Sequence, residues 1–156
     1  MNNIIKINIK KKDDYVSKFN DDILSKELSN YIIEEARDFP LKSNICIEVT
    51  SNYDMDSGEK EKFINMIRTN FSNEIKEMLF YRKKNIIIDF FMFIFGIISL
   101  IIYFISSSIP VLSEFILVFS WVLIWESAHN LIFSGFSNKV EIERKKMITN
   151  CMIVFK

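Results

Sequence analysis

The chain is 156 residues long, and its 20 Lys and Arg are balanced by 20 Asp and Glu, which offers no basic surface to nucleic acid. That length allows one compact unit and a pair of further helices rather than two full domains. The two cysteines, Cys46 and Cys151, have no C-x-x-C spacing, which argues against a metal site; both read as buried strand residues.

The opening segment lacks the apolar core of a signal peptide, so any targeting signal is expected further along the chain. Residues 4–10 (IIKINIK) set Ile5, Ile7 and Ile9 against Lys6, Asn8 and Lys10, a period of two that predicts a strand with one buried face. From about Asn20 a helical spacing places Leu24, Leu28, Ile32, Ala36 and Phe39 on one side. Asn20 and Ser25 both qualify as its N-cap, and Pro40 closes it. Residues 44–51 (NICIEVTS) alternate again, and the order strand, helix, strand predicts a right-handed βαβ crossover. Asp56, with Glu59 three residues on, predicts the cap of the next helix. Its buried face is expected to carry Ile64, Ile67, Phe71, Ile75 and Met78. No Gly or Pro separates this helix from the apolar run that follows, so the two are expected to be continuous, with at most a slight bend near 81–85.

That run, residues 86–105 (IIIDFFMFIFGIISLIIYFI), and a second at 115–134 (FILVFSWVLIWESAHNLIFS) are each about 20 residues, roughly 30 Å as helix, the thickness of a bilayer core. A chain this short has no domain large enough to bury two helices that are apolar all round. The expected fold is therefore an α/β membrane protein. An α/β domain covers residues 1–84, a transmembrane helical hairpin covers 86–136, and a basic helix with a final strand covers 138–156. Tyr81, Arg82, Lys83 and Lys84 precede the first run, and Lys139, Arg144, Lys145 and Lys146 follow the second, whereas the connecting loop 106–114 has no Lys or Arg. The positive-inside rule puts both chain ends in the cytoplasm, the loop outside, and these eight residues at the membrane interface as anchors. Gly135 and Ser137-Asn138 are expected to interrupt the helix after the second run. Residues 151–155 (CMIVF) then predict a last strand, which avoids an aggregation-prone unpaired state if it joins the N-terminal strands in one sheet.

Four phrases together carry a resemblance: IIKINI…DDYVSKFND, LSKELSNYIIEEA, ERKKMITNCMIVF and, above all, WVLIWESAHNLIF. Through them nearly the whole chain resembles a family of small prokaryotic two-pass membrane proteins of unknown function. The resemblance implies a two-pass layout with a cytoplasmic α/β part. It implies no activity and assigns no functional residue.

No Gly-rich phosphate loop, Walker sequence, G-x-S-x-G or H-E-x-x-H occurs. Asp54, Asp56 and Gly58 miss the calcium-loop spacing by one place. No catalytic residue, metal or cofactor is expected. Within the apolar runs stand Asp89 in the first and Glu126, His129 and Asn130 in the second. Glu126 lies i,i+3 from His129 and i,i+4 from Asn130, so the three share a helix face, and antiparallel packing brings Asp89 near the level of His129 and Asn130. A charge at the bilayer centre costs about 2.5–3.5 kcal/mol on insertion scales, so Glu126 needs a proton, a partner or water. Two roles are open for this cluster: a polar clasp that fixes helices or hairpins in register, or a proton or cation path through an oligomer. The expected function is a non-enzymatic, membrane-anchored interaction or sensing module, in contact with the lipid bilayer and with a protein partner or copies of itself. The alternative is a small oligomeric channel or membrane-perturbing effector built on Glu126 and His129.

Overall fold

The computed structural model describes residues 3–105 and 110–156, with the backbone alone at 110 and 134–137. In chain order the elements are β1 (Asn3–Ile9), a 3-10 turn (Lys12–Asp14), β2 (Val16–Ser17), β3 (Asn20–Leu24), α1 (Lys26–Arg37), β4 (Ile45–Ser51) and α2 (Ser57–Ile105). There follow α3 (Pro110–His129), a π-helical turn (Asn130–Ser134), α4 (Gly135–Thr149) and β5 (Met152–Phe155). The chain divides into two compact units, Met1–Glu77 with Val140–Lys156, and Met78–Lys139.

The first unit is built on a three-stranded parallel sheet in the order β1-β4-β5, so the C-terminal strand does join the N-terminal ones. Alternation dictates the rows. Ile5, Ile47 and Ile153 stand in register, as do Ile7, Val49 and Phe155. These side chains face a single core made with Leu28, Ile32 and Ala36 of α1, Phe63, Ile67 and Phe71 of α2, and Ile148 of α4. Each Val, Leu, Ile or Phe among them, once fully buried, contributes about 1.5–3 kcal/mol of transfer free energy.

Several sequence expectations are corrected here. The helix does not begin near Asn20; residues Asn20–Leu24 form β3, paired antiparallel with β2. Helical spacing is present, but the polar side chains of this stretch are held elsewhere. Asn20 Oδ1 accepts from the Asp22 backbone N–H at 2.8 Å, Asp21 pairs with Lys12, and Asp22 pairs with Lys62 of α2 at 2.7 Å. Ser25 is the cap, its Oγ accepting from the Leu28 N–H at 3.3 Å. At the start of α2, Asp56 Oδ1 accepts from the Glu59 N–H at 2.6 Å, as its spacing predicts. The buried face of α2 is turned by about a residue from the predicted one. Phe63, Met66, Ile67 and Phe71 are buried, while Ile64 and Ile75 are only half-buried. Cys46 lies in β4 and is half-buried, whereas Cys151 is buried one residue ahead of β5 rather than within it.

The helix of residues 57–105 begins in the first unit and continues into the second without a break, and two helices of this chain, Ser57–Ile105 and Val111–Thr149, are long and apolar enough to cross a membrane. The expected loop 106–114 is shorter than its sequence suggests. Helix α3 already begins at Pro110, a residue whose fixed φ suits the first helical position; residues 106–109 lie outside the described ones. Gly135 and Ser137-Asn138 do not interrupt the chain either, because the π-helical turn carries α3 directly into α4.

Candidate functional site

Helices α2 and α3 pack against each other through small side chains, which on α3 repeat every seven residues. On α3 these are Ser113, Ser120 and Ser127, all buried. Ser120 and Ser127 turn their hydroxyls back onto their own helix, donating to the Ile116 carbonyl at 2.7 Å and the Leu123 carbonyl at 2.6 Å. On α2 the matching positions are Gly96 and Ser99, with Asp89 one heptad before Gly96. A Cβ placed on Gly96 would lie 2.7 Å from Ile124 Cγ1 and 3.3 Å from the Ile124 backbone nitrogen. Glycine is required there because the two backbones approach so closely, as small residues permit in packed apolar helices. The sequence signal for this seam is the seven-residue spacing of Ser113, Ser120 and Ser127.

The polar cluster sits on the same seam. Asp89 is 7 % exposed on α2, and the Asn130 carboxamide donates both to Asp89 Oδ1 and to Glu126 Oε1, each at 3.4 Å. Asn130 opens the π-helical turn, so the helix changes its winding at the residue that bridges the two carboxyl groups. Asn85, Ile88, Asp89, Met92, Glu126 and Asn130 line an open cleft of about 410 Å³. Three of the four predicted residues therefore meet. His129 does not join them: it is exposed and its ring lies against Phe133, centroids 4.7 Å apart. Asn85 joins the cleft without having been anticipated. Chemically, one carboxamide serves two carboxyl groups through hydrogen bonds near the long limit, an arrangement that ties α2 to α3. Among the described residues no group of three or more His, Cys, Asp or Glu could hold a metal ion.

The eight predicted interface anchors separate into two sets. Arg144 and Lys145 belong to the first unit and are occupied there. Arg144 donates to the carbonyls of Ala36 and Phe39 at 2.5 and 3.3 Å, closing the C-terminus of α1. Lys145 is buried and pairs with Glu74 at 2.8 Å, which in turn accepts from Asn70 at 2.8 Å. Both are engaged within this unit, one by an α-helix C-terminus and the other by a half-buried carboxylate. Lys146 pairs with Glu143 at 2.9 Å. Tyr81, Lys83, Lys84 and Lys139 are exposed, and Arg82 is half-buried.

A second cleft, of about 350 Å³, opens at the C-terminal edge of the parallel sheet, the edge at which such sheets commonly hold ligands. Ser51, Asn52, Tyr53, Asp54, Lys60 and Phe155 are among its lining residues. Burial, with the Tyr15 hydroxyl beside it, pushes the Tyr53 phenol well above the usual range.

No family model, curated protein or solved structure matches the chain.

Proposed function

We propose that the chain is a two-pass integral membrane protein whose α/β unit works at the cytoplasmic face as an interaction or sensing module. The observation that carries this reading is the character of α2. Its first turns lie in the α/β core through Phe63, Ile67 and Phe71, while further along the same helix Phe90, Phe91, Phe95 and Phe104 are 55–72 % exposed. So many large apolar side chains bared on one hairpin are untenable in water and ordinary in lipid. The cleft at the sheet edge is the place a small ligand would be sensed. The Asp89–Asn130–Glu126 cluster then acts as a clasp that holds the hairpin in register.

The channel reading draws its support from the open cleft beside Glu126, and two measurements separate it from the clasp. Membranes bearing the chain are extracted with alkaline carbonate, and the purified protein is assayed in liposomes for proton and cation flux. Retention in the pellet without flux is the outcome expected of an anchored module. Release by carbonate would refute membrane insertion, and flux abolished by Glu126→Gln would favour the channel.

A further inference from the structure

Arg82, Lys83, Lys84 and Lys139 all lie in the hairpin unit, and none of them enters an ion pair among the described residues. Two contacts fix the antiparallel register of the helices: Asp89 with Asn130, and Gly96 with Ile124. Carried back one heptad, the same register sets Arg82 level with residues 137–138, beside the turn that bears Lys139. Arg82 occupies the heptad position of Asp89 and Gly96, so its side chain is drawn toward the seam. It is half-buried there, and its Nε is fully buried with no hydrogen-bond partner. The buried Nε is closed to a headgroup, so a ligand would meet the two terminal nitrogens; no carboxylate pairs with Arg82 among the described residues, and a guanidinium's planar fork matches a phosphate group. Directly beyond these cations, Ile86, Ile87 and Ile88 are 44–47 % exposed and Phe90 is 55 % exposed, a surface suited to acyl chains.

We infer that this end of the hairpin is a binding site for the phosphate of an anionic phospholipid headgroup. Arg82 supplies the fork, and Lys83, Lys84 and Lys139 supply the surrounding charge. The inference rests on the reading that the hairpin crosses a bilayer, and it adds a lipid class to that reading. Basic clusters at the ends of apolar helices attract anionic lipid with about a fivefold gain per cation near the surface.

The test uses the full chain in mild detergent with equimolar phosphatidylglycerol and phosphatidylcholine, with retained lipid counted by native mass spectrometry. Wild type is expected to retain phosphatidylglycerol preferentially. Arg82→Gln is expected to lower that preference about fivefold and the exposed pair Lys83→Gln/Lys84→Gln more than fivefold. Lys18→Gln, a charge removed from the other unit, is expected to leave it unchanged. Equal retention of the two lipids by wild type, or an equal loss with Lys18→Gln, would overturn the site. Displacement of the lipid by excess inorganic phosphate would also overturn it, by marking a general anion site. The same preparation is extracted with alkaline carbonate. A chain that resists extraction yet shows no lipid preference sinks this inference alone, whereas a chain that is extracted sinks the membrane reading beneath it.

Discussion

Helix α2 offers a comparison within one element: its first turns and its last belong to different units and obey different rules. Over residues 57–77 it is amphipathic, with Phe63, Ile67 and Phe71 fully buried and Glu61, Arg68 and Lys76 exposed. Beyond about residue 85 the pattern inverts. Buried positions are Asp89, Gly96 and Ser99, and exposed ones are Phe91, Phe95 and Phe104. In water the large apolar group goes inside. In lipid the apolar group gains nothing by going inside, so small and polar groups take the seam and backbones close up. The inversion along one continuous helix is what a change of solvent would impose if, as proposed, the hairpin crosses a bilayer.

The largest expected effect tests the inversion with one residue type. Phe63 is fully buried and meets Tyr15 edge-on at 5.1 Å and Phe155 at 5.9 Å, so Phe63→Ala should destabilise the α/β unit by about 3–5 kcal/mol. Phe91, on the same helix but 66 % exposed, should cost only about 0.5 kcal/mol or less when changed to Ala. Hydrogen exchange of the β1 and β4 amides in detergent reads both. Equal protection losses would mean the two ends of α2 do not differ as described.

Next in size is the ion pair inside the α/β unit. Lys145→Met strands Glu74, whose side chain is 31 % exposed, and should cost about 2 kcal/mol, below the range for fully buried pairs. Adding Glu74→Leu should recover most of that loss in a denaturant titration. If the double variant is as unstable as the single one, the pair does not act as a unit.

On the hairpin side, Gly96→Ala brings a methyl group to within 2.7 Å of Ile124 Cγ1 and should cost about 1–3 kcal/mol by overpacking. Ser120→Ala, which removes only a bond to its own helix, should cost under about 1 kcal/mol. Crosslinking between cysteines placed on α2 and α3 ranks the two. A serine change as damaging as the glycine change would mean hydroxyl bonding, rather than close approach, holds the seam.

Sequence patterning made much of this legible, and the misses have physical causes. The strands β1 and β4 could be read directly because burial on one face writes a period of two into the chain, and the two apolar runs and the final strand because unbroken apolar composition marks them. The β2–β3 hairpin could not, since Asn20, Asp21 and Asp22 imitate a helix start, while Asn20 is held by the Asp22 backbone and Asp21 and Asp22 pair with Lys12 and Lys62 outside the stretch. Arg144 and Lys145 read as interface anchors because nothing local reveals the Ala36 carbonyl or Glu74 that hold them. At the candidate site, Asp89, Glu126 and Asn130 were recognisable as polar residues in apolar surroundings. His129 stands apart from them with its ring against Phe133, a contact that polarity in an apolar run does not reveal.

A smaller effect distinguishes the two cysteines. Burial, with Cys46 nearby, pushes the Cys151 thiol up to about 11. In the folded protein at pH 8 one thiol, Cys46, should react with an aromatic disulfide reagent and the second only on unfolding. Because the folded value lies above the unfolded one, the neutral thiol's contribution to stability is whole below about pH 9 and is lost as pH rises toward 11. Removing Cys151 with Cys151→Ala should flatten that part of the pH profile.

The inversion along α2 has its most direct test in whole cells. In a Cys46→Ser, Cys151→Ala background, single cysteines are introduced as Ser107→Cys, between the two apolar helices, and Ser17→Cys, in β2. A membrane-impermeant thiol reagent is then applied to intact and to permeabilised cells. Position 107 is expected to be labelled in intact cells and position 17 only after permeabilisation. Labelling of position 17 from outside, or of neither position until the membrane is opened, would contradict that expectation.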